Sequence, residues 1–147
     1  MKNVLDHAIV EKSMETSVRL FQLCNKFPDS ETFGIVYLLK DAGLSYTAGL
    51  NQVLYCTNHS QCLMYLEDAL HCMRKIMTGL ELSHRLGLIN EDQLMSLSNP
   101  ISGILESVCD KISYYKEEIE KEISQMEMDI LEVPPISFSP FKKGFES

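Results

Sequence analysis

Apolar residues recur every three or four positions along most of this chain of 147 residues, and this spacing limits the fold more than any other feature. Such spacing puts them on one face of an α-helix, whereas strands would alternate apolar and polar residues. Glycine and proline are few and lie at plausible joints. The sequence therefore predicts an all-α protein, with an antiparallel up-down four-helix bundle in residues 1–133 and an irregular C-terminal tail in residues 134–147, flexible or docked.

A proline separates the first two predicted helices. The first covers about residues 4–26 and ends before Pro28, because the residue that precedes a proline disfavours helical dihedrals. Asp29 or Ser30 is then expected to cap a second helix over about residues 31–56. That helix has only three charged residues. Since an exposed helix face normally carries charges, we expect neighbours to cover most of it, either within the bundle or in an oligomer.

Small residues at helical spacing follow one side of the second helix, at Ala42, Ser45 and Gly49. A glycine inside a helix costs about 1 kcal/mol relative to alanine. Close approach of another helix is one compensation for this cost, and a break in the helix near Gly49 is the alternative. We predict that these three residues form a candidate oligomer or partner surface.

The third predicted helix follows a turn at residues 57–60 and ends near Leu86. The sequence Leu86-Gly87-Leu88 fits a helix that a left-handed glycine closes, with an apolar residue after it. Asn90 and Gln93 then have the spacing of a capping box, which predicts the start of a further helix.

The fourth segment contains a proline at position 100. We expect a break near Pro100, with a short helix to about Ser98, Asn99 as the next cap and Pro100 as the first residue of a longer helix. This longer helix is expected to extend past the others by a few turns, with glutamates facing outwards. Its apolar residues keep a narrow heptad-like seam, which is a second candidate oligomer or partner surface; the seam consists of Ile119, Ile123, Met126 and Ile130.

The charge of the chain disfavours nucleic acid and anionic lipid as partners. Thirteen basic and 21 acidic residues give a formal net charge of -8, whereas binding through bulk charge requires concentrated Lys and Arg. Most of the acidity lies in residues 87–133, which contain three basic and eleven acidic residues. Two adjacent basic pairs, Arg74-Lys75 and Lys142-Lys143, are candidate weak nucleic-acid contacts. A solvated helix face is the simpler interpretation of the first pair.

The five cysteines are scattered and form no CxxC pair, and the start of the sequence does not resemble a signal peptide. We therefore expect free thiols and a cytoplasmic protein. No membrane span is expected, because polar residues interrupt the longest uncharged run, residues 42–66. A metal site at Cys56, His59 and Cys62, with His71 or Cys72 as a further ligand, is a remote alternative, since the spacing matches none of the recurring zinc patterns. No cofactor is expected, and an enzyme is the least supported class.

Residues 27–89 resemble a family of small four-helix-bundle proteins encoded by intervening sequences of 23S ribosomal RNA genes, which includes the accessory variability proteins of diversity-generating retroelements. The resemblance rests on Phe27-Pro28, Glu31, Phe33-Gly34, Ala42, Ser45, Ala48, Leu66, Ala69, Leu80 and Leu86-Gly87-Leu88-Ile89. It implies an antiparallel bundle that assembles into a ring-like homopentamer without enzymatic activity. In the retroelement branch, a basic surface of the ring resembles a docking surface for nucleic acid and reverse transcriptase.

The chain departs from this family at its polar signature positions. The paired arginines of the family's second helix fall on Lys40 and Asp41, and the glutamate of its third helix falls on Lys75. These replacements weaken any binding role that the polar positions serve in the family. The sequence therefore favours a non-enzymatic, self-associating interaction or accessory protein with an unidentified protein partner. The alternative is a nucleic-acid-associated accessory protein that acts on RNA or DNA, with or without a reverse transcriptase.

Overall fold

The structure is a computed structural model, and it describes residues 7–31, 34–132 and 134. Within these residues the chain is helical and contains no strand, which confirms the predicted all-α four-helix fold. The four α-helices are α1 (His7–Cys24), α2 (Ile35–Tyr55), α3 (His59–Arg85) and α4 (Glu91–Glu132). Apart from Pro134, the predicted tail lies outside the described residues.

Each helix packs against the next one along the chain, and α1 also packs against α4, so the four helices enclose one core. The short connections after α2 and α3 make consecutive helices antiparallel. Leucine and isoleucine side chains from all four helices fill the core. The side chain of Tyr46 is fully buried in this core, and its hydroxyl group donates a hydrogen bond to the carbonyl oxygen of Ser13 at 3.2 Å. The core therefore buries this polar atom without leaving it unpaired.

The connection between α1 and α2 differs from the prediction. Asp29 and Ser30 do not cap the second helix, because Asp29–Glu31 forms a 3₁₀ turn of its own. The Glu31 amide donates to the Pro28 carbonyl at 2.9 Å, and the Gly34 amide donates to the Glu31 carbonyl at 3.1 Å. These successive tight turns delay the start of α2 to Ile35, so the predicted cap is wrong by about one helical turn.

The predicted end of α3 is confirmed in detail. Gly87 has a φ of +76°, a value that only glycine adopts at little cost. Its amide donates to the His84 carbonyl at 3.0 Å, and the Leu88 amide donates to the Ser83 carbonyl at 2.9 Å. This pair of hydrogen bonds is a Schellman motif, which satisfies carbonyls that the helix end would otherwise leave unpaired.

The predicted capping box at the start of α4 is confirmed as well. The Gln93 amide donates to the side-chain oxygen of Asn90 at 2.8 Å, and the Asn90 amide donates to the side-chain oxygen of Gln93 at 2.9 Å. The two residues thereby satisfy each other's free backbone donors, which fixes the point where α4 begins.

The predicted break near Pro100 is wrong, because α4 continues through this residue. A proline inside a helix has no amide hydrogen to give to the carbonyl four residues earlier, which here belongs to Ser96. The guanidinium of Arg19 in α1 donates to that carbonyl at 2.6 Å. The freed carbonyl is therefore satisfied from a neighbouring helix. Asn99 accordingly lies inside α4 and caps nothing.

Candidate interaction surfaces

The C-terminal part of α4 extends beyond the rest of the bundle. With 42 residues, α4 is about 63 Å long, whereas the 27 residues of α3 span about 40 Å. Tyr115 is the last buried residue of α4, and no side chain from residue 117 to residue 132 is buried. We call residues 117–132 the α4 overhang. It contains seven acidic residues and a single lysine.

The predicted apolar seam lies along this overhang. Ile119 is half-buried against the end of the bundle, while Ile123, Met126 and Ile130 are 50%, 62% and 69% exposed. Successive residues of a helix are rotated by about 100°, so these four side chains continue the face that α4 buries inside the bundle. The structure therefore places the seam on one face and leaves most of it in contact with solvent.

Acidic side chains border the seam on both sides. By the same rotation, Glu122 and Asp129 flank one edge, and Glu120 and Glu127 flank the other. A surface that covers this seam would therefore combine an apolar centre with positive charge at its rim.

The first turns of the overhang are attached to the start of α3. Nδ1 of His59 lies 2.5 Å from a carboxylate oxygen of Glu122, and the His59 ring packs 5.6 Å from the ring of Tyr115. Lys116 and Glu67 approach to 4.0 Å on the same side. These contacts orient the overhang away from the bundle along the line of α4.

The structure places the small-residue seam of α2 mostly inside the bundle. Ala42 is only 3% exposed. A Cβ added at Gly49 would lie 3.4 Å from the Tyr65 carbonyl oxygen of α3, an ordinary contact distance, and α2 continues through Gly49 without a break. Ser45 is exposed and Gly49 is half-buried. The predicted partner surface is corrected accordingly, because Ala42 is buried in the core and Gly49 faces α3 of the same chain.

The face of α2 that points away from the core is uncovered, although the sequence predicts neighbours over most of this helix. Tyr37, Leu44 and Tyr55 are 64%, 65% and 74% exposed. Ala48 lies between them on the same face and is also exposed. Nothing in the described part of the chain covers this face. The scarcity of charged residues in α2 indicated a surface for another chain, but the sequence alone could not show which side of the helix is exposed.

A groove of about 310 Å³ runs between α2 and α3. Arg74 and Lys75 of α3 line it, and neither forms an ion pair with another described residue. The remaining lining residues are Ile35, Leu38, His71, Thr78, Gly79 and Leu82. None of the lining residues carries a carboxylate. The second predicted basic pair, Lys142-Lys143, lies outside the described residues.

The residues of the hypothetical metal site serve other contacts. His59 faces Glu122, and the thiol of Cys62 is buried and donates to the Cys56 carbonyl at 3.5 Å. Burial raises the pKa of Cys62 to about 11, so its thiol stays protonated at neutral pH, a form in which it is a poor metal ligand. Across residues 7–31, 34–132 and 134, no three His, Cys, Asp or Glu side chains are grouped closely enough to hold a metal ion.

Among the helices of the described residues, none combines the length and the apolar character that crossing a lipid bilayer requires.

The fold is similar to that of a protein of unknown function from the S23 ribosomal protein family of Bacteroides thetaiotaomicron VPI-5482, known from a crystal structure. The two structures align with a TM-score of 0.67 and 21% sequence identity, over 72% of this chain and 96% of the other. At this identity the likeness shows the shared fold and nothing about activity. No family model matches the chain, and no curated protein matches it either.

Proposed function

We propose that this protein is a non-enzymatic, cytoplasmic four-helix-bundle protein that associates with copies of itself and acts as an interaction or accessory module. The observation that carries the proposal is the exposed apolar seam of the α4 overhang. Covering Ile123, Met126 and Ile130 would contribute about 1 to 2 kcal/mol each, since about half or more of each side chain is still in water. A seam of this kind is typical of a helix that packs against a partner.

The uncovered face of α2 supports the same proposal from another side of the molecule. Tyr37, Leu44 and Tyr55 expose large side chains of the type enriched at protein interfaces. Two different apolar surfaces on one chain allow head-to-tail contacts, which build a ring when the rotation between copies closes. The resemblance noted in the sequence suggests five copies.

Membership of the 23S rRNA intervening-sequence family is part of this proposal. It is supported by the motif resemblance in residues 27–89 and by the similar fold of a protein whose S23 family name is tied to those sequences.

Multi-angle light scattering of the purified full-length chain at micromolar concentration tests the proposal. We expect a mass that is a multiple of the 16.8 kDa of one chain. A single-chain mass at every concentration would contradict self-association.

Nucleic-acid binding is the second candidate function, and the exposed side chains of Arg74 and Lys75 favour it because neither has an ionic partner among the described residues. Binding of this kind, to RNA or DNA with or without a reverse transcriptase, would weaken steeply as the salt concentration rises. A gel-shift series with both nucleic acids at increasing salt tests it. Absence of a shifted band even at low salt would exclude this role.

A further inference from the structure

We propose that the α4 overhang of one copy docks head to tail into the α2–α3 groove of a second copy of this chain. The inference rests on the self-association proposed above, and it specifies the two surfaces that meet. It is carried by the position of the groove, by its apolar lining and by the charges at its rim.

The overhang cannot reach the groove of its own chain. It leaves the bundle beside His59, at the start of α3, whereas the groove is lined by α3 residues from His71 to Leu82. At 1.5 Å per residue, these lie about 18 to 35 Å further along α3. Because α4 runs antiparallel to α3, the overhang points in the opposite direction. An overhang that fills this groove must therefore belong to another copy of the chain.

The centre of the groove matches the seam in chemical character. Ile35 and Leu38 of α2 and Leu82 of α3 supply an apolar lining, and Leu38 and Leu82 are 42% and 49% exposed. These side chains would cover apolar atoms of the seam and be covered in turn. Both surfaces would thereby lose their contact with water, which favours association.

The rims of the two surfaces carry opposite charges. The overhang brings carboxylates on both edges of its seam, while Arg74 and Lys75 stand in the groove without an ion pair among the described residues. A second groove, between α1 and α4, is less suitable because Glu15 lines it together with Lys12 and Arg19. A further groove between α1 and α4 contains Arg19 and Lys26 and no carboxylate, but its apolar lining residues, Leu23 and Leu97, are buried. Of these three grooves, the α2–α3 groove alone combines basic side chains with exposed leucines and lacks carboxylates, which favours it as the docking site.

Variants of the two surfaces test the pairing in the full-length chain. The seam variant combines Ile123→Lys with Met126→Lys, which sets positive charge against the basic groove. The groove variant combines Arg74→Glu with Lys75→Glu, which sets negative charge against the acidic overhang. We expect light scattering to give a single-chain mass for either variant alone and a helical circular dichroism spectrum like that of the wild type. Ile123, Met126, Arg74 and Lys75 are all exposed and none of them is buried, so the fold should persist.

Mixing the two variants gives the sharper result. The seam variant keeps an intact groove and the groove variant keeps an intact overhang, so the mixture should form a dimer and nothing larger. Two control variants with equal charge changes should keep the wild-type mass. One is Met128→Lys with Leu131→Lys, on the outward side of the same overhang, and the other is Lys12→Glu in α1 with Lys26→Glu in the turn that follows α1.

The outcomes separate this pairing from self-association in general. A wild-type chain of single-chain mass would overturn the proposed function together with the pairing. A wild-type oligomer that the groove variant leaves intact would overturn the pairing alone. Variants that remain monomeric when mixed would overturn the pairing as well. The mixture contains an intact overhang and an intact groove, and the pairing requires these two surfaces to bind each other.

Discussion

The two halves of α4 share one apolar spacing but have different surroundings. Between residues 94 and 115 the apolar face is buried, and Ile101 and Val108 have no exposed surface at all. Between residues 117 and 132 the same face is largely exposed, because α2 ends at Tyr55 and α3 begins at His59, so neither of these two helices lies opposite it. The spacing therefore specifies a helix with an apolar face, and the lengths of the neighbouring helices decide how much of that face the chain itself can bury.

Core truncation should give the largest contrast between the two halves. Ile101→Ala is expected to lower the free energy of unfolding by about 2 to 5 kcal/mol, because it leaves a cavity among packed side chains. Ile123→Ala should change the stability of the dissociated chain by less than about 0.5 kcal/mol. Urea unfolding at a protein concentration low enough to dissociate any oligomer measures both. Equal losses would mean that the overhang is part of the bundle core.

Replacement of the proline inside α4 should give the next largest effect. This effect is confined to the half of α4 that packs inside the bundle, which we call the bundle half. Pro100→Ala should raise the free energy of unfolding by up to about 3 kcal/mol, since it restores a backbone hydrogen bond to Ser96. Arg19→Ala should lower it by about 1 kcal/mol, because the Ser96 carbonyl loses its donor.

A double-mutant cycle in thermal or urea unfolding checks this link. In the Pro100→Ala background, Arg19→Ala should cost much less than in the wild type, because the restored amide already satisfies the carbonyl. Strictly additive effects would show that Arg19 does not compensate for the proline.

The capping box fixes where the bundle half of α4 begins. Asn90→Ala removes the side-chain acceptor for the Gln93 amide and should cost about 1 kcal/mol of unfolding free energy. Lys26→Ala, at an exposed residue without such a role, is a suitable control in the same urea titration. A loss no larger than that of the control would argue against the cap.

Buried thiols should affect stability only at alkaline pH. Burial raises the pKa of Cys24 to about 11, and it raises the pKa of Cys62 to about 11 as well. An unfolded chain releases these protons near the ordinary thiol value of about 8.5, while the folded chain retains them. The stabilisation is therefore complete below that value and is lost as the pH rises through about 11.

Urea unfolding from neutral pH to pH about 11 measures this loss. We expect the free energy of unfolding to decline over the alkaline part of the range, and Cys24→Ala should make the decline shallower. An unchanged slope in that variant would contradict the assignment to Cys24.

Local signals in the sequence predicted the C-terminal end of α3 and the start of α4, because Gly87, Asn90 and Gln93 act on backbone groups within a few residues of themselves. The continuity of α4 could not be predicted in this way. It depends on Arg19, which lies 77 residues before Ser96 and meets it only after α1 packs against α4.

The candidate surfaces were predicted in part. The overhang followed from a helical pattern that outlasts its neighbours, and its seam followed from the heptad-like spacing. The small-residue seam of α2 faced inwards instead, since the sequence does not fix the rotation of a helix about its axis. The α2–α3 groove could not be seen at all, because Leu38 and Leu82 become neighbours only when two distant segments pack together.

Hydrogen–deuterium exchange most directly tests whether the overhang seam is the surface through which this chain associates. Peptides from residues 117–132 of the wild-type protein should exchange slowly at micromolar concentration, and in the Ile123→Lys, Met126→Lys variant they should exchange rapidly. Peptides from residues 94–115 should be equally protected in both proteins. Rapid exchange of the overhang in the wild type, at the rate seen in the variant, would contradict the account.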